Sequence, residues 1–307
     1  MNDDQAMKLE IVQQCNVCGG AFLEVLDAES NITECSSCGY IFDNPRPTLE
    51  ELIKFYSRPS QYDSWLGELK ARDRAWNRRL RILRSTRQKG SLLDVGTGIG
   101  QFLALARDSY DQVYGTEVSS EAIRIAKEKY NLELFNGTLE NLDKKGQLFD
   151  NITLFHVLEH VPDPGFLLKI CYSLLSERGI LVIAVPNEVT SLRAWLKRQL
   201  VKAGLREPRG VGKFGLPRIT LSEQRSEVHL SHFTPPVLRQ LLQSAGFSIL
   251  KTTLDPCYVA TGTRRLKADL YYFCCLLLQK VFRVNIYDGI LMIARKASVR
   301  AESQSAA

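Results

Sequence analysis

The chain is poor in several residue types. Among 307 residues there are four histidines, three tryptophans and three methionines. The longest uncharged apolar run toward the C-terminus covers residues 270–278, far short of the roughly 20 residues that a membrane-spanning helix needs. The first ten residues are polar and acidic, where a secretory leader would be basic and then apolar. Neither sign of charge dominates. Forty basic side chains against 34 acidic ones leave a formal +6, which permits an anionic substrate without calling for nucleic acid. These absences predict a cytoplasmic, reducing location, in which the eight cysteines serve as metal ligands or buried thiols rather than disulfides. What is present, 45% apolar and 24% charged residues, suits a soluble α/β domain plus something small.

One more absence is informative. Residues 91–103 read Ser-Leu-Leu-Asp-Val-Gly-Thr-Gly-Ile-Gly-Gln-Phe-Leu: an apolar strand, three alternate glycines, then the start of a helix. A dinucleotide fingerprint, G-x-G-x-x-G, would need glycine at position 101, and Gln101 stands there. The spacing is instead D-x-G-x-G-x-G with the acid inside the strand. Glycines at such a turn let backbone amides and a helix N-terminus approach a ligand.

Cys15 and Cys18, then Cys35 and Cys38, form two C-x-x-C-G units with sixteen residues between them. This is zinc-ribbon spacing: two thiolates three apart grip one side of a tetrahedral Zn²⁺. Four cysteines close the coordination sphere, so the metal is structural. Residues 21–26 between the pairs predict a hairpin arm. The ribbon is expected over 1–44 and a helical connector over 45–90, with Thr48 and Glu51 as a capping box. Tyr56, Tyr62 and Trp65 are read either as packing or as a flap over a ligand. The remaining Cys171, Cys257, Cys274 and Cys275 are expected in the core.

Strand and helix alternate from 91 to 187. A strand ends in Glu117, about 20 residues past the glycines, where an acid can accept both hydroxyls of an adenosine ribose. Further strands are expected at 132–136, 149–155 and 179–185. Repeated βα units predict a doubly wound, Rossmann-like parallel sheet with its site at the strand C-termini. Residues 188–206 predict a basic helix with Leu192, Trp195, Leu196 and Leu200 on one face. A substrate-binding insertion is expected over about 188–233, within which 204–225 is either a mobile basic loop or a linker. Strands at 247–254 and 289–294 make a reversed last hairpin. Residues 266–282 form an apolar helix, read first as core, then as a dimer face, then as a contact peripheral to the inner membrane face. Residues 298–307 read as a disordered tail.

The run at 92–100, then Glu117, then Phe-His-Val-Leu-Glu-His-Val-Pro-Asp-Pro at 155–164 and Val-Pro-Asn at 185–187 together resemble class I S-adenosylmethionine (SAM)-dependent methyltransferases, in particular the branch of sugar, glycan and secondary-metabolite pathways. The resemblance implies a seven-stranded, mostly parallel sheet over 91–297 and methylation of a small hydroxylated acceptor, with anionic and glycan-linked acceptors within its range. It also implies that Asp94, Gly96, Gly98 and Gly100 hold the methionine end of SAM and Glu117 the ribose. Thr138, Leu139 and Glu140 would lie by the adenine, and Phe155 by the methyl. The four histidines gather at the expected mouth of the site. His229 is the first candidate base, with Glu227 orienting it, and His156 the second. The run His156, Glu159, His160, taken with a distant histidine, also resembles the divalent-cation site of some 2′-O-methyltransferases, on the assumption that it is helical. Alternatives are a zinc-ribbon rRNA or tRNA methyltransferase, and a non-catalytic adaptor of the same fold.

Overall fold

The computed structural model describes residues 7–59, 61–86, 89–142, 146–204, 215, 216, 219, 221 and 227–297. The expected tail at 298–307 and most of the basic stretch at 204–225 lie outside them. The chain opens with β1 (Leu9–Glu10), the antiparallel pair β2 (Leu23–Asp27) and β3 (Ile32–Cys35), β4 (Ile41–Asp43) and β5 (Arg46–Pro47). Helices α1 (Leu49–Tyr56), α2 (Asp63–Gly67) and α3 (Leu69–Leu83) follow. Next come β6 (Ser91–Val95), α4 (Gln101–Ala106), β7 (Gln112–Glu117), α5 (Ser120–Tyr130) and β8 (Phe135–Asn136). Then β9 (Phe149–Phe155), α6 (Pro164–Leu174), β10 (Leu175–Pro186) and α7 (Leu192–Lys202) complete the alternation. The last elements are β11 (Ser231–His232), α8 (Pro235–Ser244), β12 (Phe247–Leu254), α9 (Gly262–Phe282) and β13 (Gly289–Lys296).

Seven strands form one sheet in the order β12-β13-β10-β9-β6-β7-β8. β6 pairs in parallel with β7 and β9, β9 with β10, and β7 with β8. Only β13 runs against its neighbours, β10 and β12. The central strands are buried along both faces, as in Leu92–Val95 and Ile180–Val185, which is why they read as continuous apolar runs rather than alternating ones. The strand order turns outward in both directions from β6, and the crevice at that point is where an open α/β sheet binds its ligand.

The ribbon is not a detached unit. β4 pairs antiparallel with β11, Phe42 opposite Ser231 and Ile41 opposite His232, so a four-stranded sheet joins the N-terminal hairpin to the segment after residue 227. Tyr40 stacks on Phe42 and Phe233, and its hydroxyl meets Ser231 Oγ at 2.5 Å. Cys15, Cys35, Tyr40 and Phe42 belong to the same buried cluster as Leu158, Leu168, Val237 and Leu241.

Several local expectations differ from the structure. Thr48 precedes α1 but makes no side-chain cap, so the capping box does not form. The third strand shortens to two residues. Helix α7 begins at Leu192, leaving Glu188 in the turn after β10. The apolar helix at 266–282 is not core: Leu266, Leu270, Phe273, Leu277 and Val281 are each more than half exposed. Of the remaining cysteines, Cys171 and Cys275 are buried while Cys274 is exposed. No helix among the described residues is long and apolar enough to cross a membrane.

Candidate active site

A cavity of about 340 Å³ opens at the C-terminal edge of the central strands. The turn after β6 lines one side. Gly96 and Gly98 both adopt left-handed backbone, φ +65° and +57°, and a Cβ at Gly98 would stand 3.1 Å from the Trp65 ring. Only glycine suits both demands. Asp94 points into the same space from β6. Its Oδ1 accepts the Thr153 hydroxyl at 2.6 Å, and burial raises its pKa from 3.8 to about 7. Gly100, in contrast, packs against α5: a Cβ there would meet Leu132 at 2.8 Å and Ala126 at 3.0 Å. Its backbone is left-handed as well, φ +79°, so both the conformation and the close packing call for glycine.

Glu117 ends β7 beside the glycine turn. Its Oε2 accepts the Gly98 amide at 2.7 Å, and its Oε1 accepts the amides of Val118 and Ser119. Burial raises its pKa, and the three amides work against that rise. The carboxylate is thus fixed in orientation and retains acceptor capacity for hydroxyls. Thr138, Leu139 and Phe155 line the cavity with it. Tyr56 at the end of α1, Tyr62 just before α2 and Trp65 within it line the cavity as well, with Arg72 stacked 3.8 Å over Trp65. The helical connector therefore forms a wall of the site.

The histidines divide into two groups. His156 does not lie on a helix: it sits in a turn with left-handed φ, +58°. Its Nδ1 is 3.0 Å from Glu159 and its Nε2 3.2 Å from Asp255. Asp255 in turn takes two bonds from the fully buried Arg79, at 2.6 and 2.8 Å. Burial alone would lower the His156 pKa, but its bonds to Asp255, Cys257 and Glu159 carry it well above the ordinary value. Both ring nitrogens are occupied.

The second group is a relay. His160 lines the cavity. Its Nδ1 meets the Val228 carbonyl at 2.6 Å; a carbonyl only accepts, so Nδ1 carries the hydrogen and Nε2 keeps a lone pair. Burial, with the charge of His229 nearby, lowers its pKa. His229 stands behind it, rings 4.9 Å apart. Its closest carboxylate is Glu188, at 3.0 Å from Nδ1; Glu227 is 3.8 Å from Nε2. Against the lowering effect of burial, Glu188 and Glu227 raise the His229 pKa well above normal. Glu188 also reaches His232 at 2.8 Å, and His232 reaches Asp43 of β4 at 3.0 Å. A line of ionisable groups thus runs from the ribbon to the cavity. Of the expected cation-binding set, Glu159 and His160 do converge with a distant histidine, His229, whereas the ligand atom of His156 lies in a separate group with Asp255 and Cys257.

Away from the cavity, the Sγ atoms of Cys15, Cys18, Cys35 and Cys38 all lie within 4.8 Å of one another. Cys15 and Cys38 are 3.5 Å apart, and Cys18 and Cys35 3.6 Å. A tetrahedron with Zn–S bonds of about 2.3 Å has edges of roughly 3.8 Å, so the set fits zinc. Gly19 and Gly39 take left-handed φ after each pair and turn their amides back onto the Cys15 and Cys35 carbonyls.

Comparison with known proteins agrees with this geometry. The profile of the methyltransferase-domain family matches residues 69–252. The chain belongs to that family. It is 30% identical over 145 residues to the ubiquinone biosynthesis O-methyltransferase of Coxiella burnetii, covering 45% of this chain and 62% of that one. The protein of the same name from Pectobacterium atrosepticum is 29% identical over 168 residues, 50% of this chain and 68% of that one. This methyltransferase-family chain thus spans less than two thirds of the Coxiella relative. In fold it is similar to a SAM-dependent methyltransferase of Thermotoga maritima, with a TM-score of 0.50 at 17% identity over 80% of this chain and all of the other.

Sequence reasoning missed Glu188, Arg79, Asp255 and the forward position of His160. Glu188 had a signal: it directly follows the Val-Pro-Asn that ends β10, a strand-terminal position at the edge where ligands bind.

Proposed function

We propose that this protein transfers the methyl group of SAM to a hydroxyl of a small acceptor. The observation that carries the reading is the convergence of Asp94, the left-handed Gly96 and Gly98, and Glu117 in one cavity with His160 and Glu227, the cavity end of the histidine relay. When bound, SAM supplies an activated methyl; the protein supplies alignment and removal of the acceptor's proton. In this reading Asp94 faces the cofactor's ammonium, Glu117 takes the ribose hydroxyls, and Thr138, Leu139 and Phe155 pack on the nucleoside. The wall made by Tyr56, Tyr62 and Trp65 excludes water.

The proton acceptor needs a free lone pair at neutral pH. His229, whose pKa is raised, is an imidazolium there, paired with Glu188 and Glu227. His160, whose pKa is lowered, lines the cavity; its Nε2 is free of the Val228 carbonyl and lies 3.9 Å from Glu159 Oε1. We therefore place His160 in front as the base and His229 behind it, where its charge keeps His160 neutral. His156 is a clamp between β9 and the segment after β12. The four cysteines hold a structural Zn²⁺ that fixes Asp43, the far end of the relay.

A sugar or glycan acceptor follows from the sequence resemblance; the names of the relatives favour an acceptor of ubiquinone biosynthesis as the second reading. The deciding experiment is radiolabelled methyl transfer from SAM to a panel of both acceptor kinds, with wild type, His160→Ala and His229→Ala. Turnover on one kind, lost in His160→Ala while SAM affinity holds, supports the reading. An active His160→Ala protein would remove the base from His160.

A further inference from the structure

The long helix α9 has a face that the methyltransferase fold leaves uncovered. Leu266, Leu270, Phe273, Leu277 and Val281 recur at three- and four-residue spacing and are 54–69% exposed, so they form one stripe along the helix. The opposite side is fastened down: Cys275, Tyr271 and Tyr272 pack with Leu254, Tyr258 and Tyr287. The stripe is thus an outward face of a well-anchored helix.

Charge decides what covers it. Arg264, Arg265 and Lys267 precede or flank the first turn of the stripe, and Lys280 and Arg283 close its end; all five are exposed. Asp269 is the only acidic residue of the helix. Cations in a first turn oppose the helix dipole; Arg265 is paired with Asp269 one turn on, so local helix stability leaves Arg264 unaccounted for. A second copy of the chain fits poorly. Antiparallel pairing of two α9 stripes would set the basic start of one against the basic end of the other, and parallel pairing would set like ends together. A flat anionic surface neutralises both ends at once and takes up the apolar stripe between them. The neighbouring α7 adds Trp195, Leu196 and Leu200, each more than two fifths exposed, and is tied to α9 by Arg193 stacked 4.3 Å over Tyr271.

We propose that α9 lies in the plane of an anionic membrane surface, with its apolar stripe in the headgroup boundary and its basic ends on lipid phosphates. Burial of such a stripe combined with attraction to anionic headgroups is how an in-plane amphipathic helix binds. The segment beneath α9 also carries Cys257 into the cavity, so the membrane face and the cavity share a wall.

Sedimentation of the full chain with phosphatidylglycerol–phosphatidylcholine vesicles, against phosphatidylcholine alone, tests this. The chain should pellet with the anionic vesicles and not with the neutral ones, and binding should weaken with added salt. Leu270→Glu with Phe273→Glu should weaken it by roughly tenfold or more, with the melting temperature and SAM affinity unchanged, because both positions already face solvent. Equal binding to neutral vesicles, no binding to either, or a wild-type dimer by light scattering that the double variant splits into monomers would each overturn the proposal.

Discussion

Asp94 gives the sharpest prediction. It is 3% exposed, and burial raises its pKa from 3.8 to about 7. A raised carboxyl stabilises the fold most below pH 3.8, where both folded and unfolded forms are protonated. That advantage is lost as pH rises toward 7, and at pH 8 the ionised group costs the empty protein about 4 kcal/mol. A bound ammonium offsets this cost, so SAM should prefer ionised Asp94. At pH 5 only about one molecule in a hundred is ionised, and affinity should fall about 100-fold below its plateau. Above pH 8 the α-amino group of the ligand itself deprotonates, at about 7.7–8.0 in models, and affinity should fall again. Titration calorimetry between pH 5 and 9, in two buffers of different ionisation enthalpy, should show this bell and a proton released on binding near pH 6.5. Asp94→Asn should flatten the acidic limb and weaken binding, yet raise the melting temperature of the empty protein at pH 8. A flat profile between pH 5.5 and 7.5, or an unchanged slope in Asp94→Asn, would refute the reasoning.

Three further perturbations follow from the geometry. Gly98→Ala imposes about 1–2 kcal/mol for the left-handed backbone and pushes on Trp65, 3.1 Å from the new Cβ; both melting temperature and SAM affinity should drop, and an unaffected variant would argue against close packing there. Asp255→Asn leaves the buried Arg79 without its countercharge and should cost about 3–5 kcal/mol in denaturant unfolding; joint Arg79→Met and Asp255→Leu should recover only part of it, because His156 Nε2 also loses Asp255, and full recovery would argue against that bond. Metal analysis should return about one zinc per chain. Its removal by chelation should lower turnover through the Asp43–His232–Glu188–His229 line with less effect on SAM affinity; a folded, fully active metal-free protein would count against the ribbon's role.

Much of this was legible in the sequence because the chemistry is local there. The apolar runs at β6, β9 and β10, the glycine turn and Glu117 lie within short stretches whose pattern is set by near neighbours in the chain. The four cysteines were legible for the same reason. What was not legible depends on distant partners. Arg79 and Asp255 lie 176 residues apart in the chain, and nothing near either one marks the pair. The docking of β4 on β11 joins residues about 190 apart, so the line from Asp43 to His229 had no sequence signal. The sequence marked 266–282 as an apolar helix but could not say whether its apolar side chains face protein or solvent. Gly100 kept the motif's spacing while serving helix packing, and Glu188 was absorbed into a helix that starts four residues later.

The central claim is that the cavity at the edge of the sheet receives a sulfonium nucleoside. Equilibrium titration of the purified chain with SAM and, separately, with NAD is the most direct test. Saturable SAM binding, absent in Asp94→Ala, with no binding of NAD, is the expected result. NAD binding with no response to SAM would contradict it.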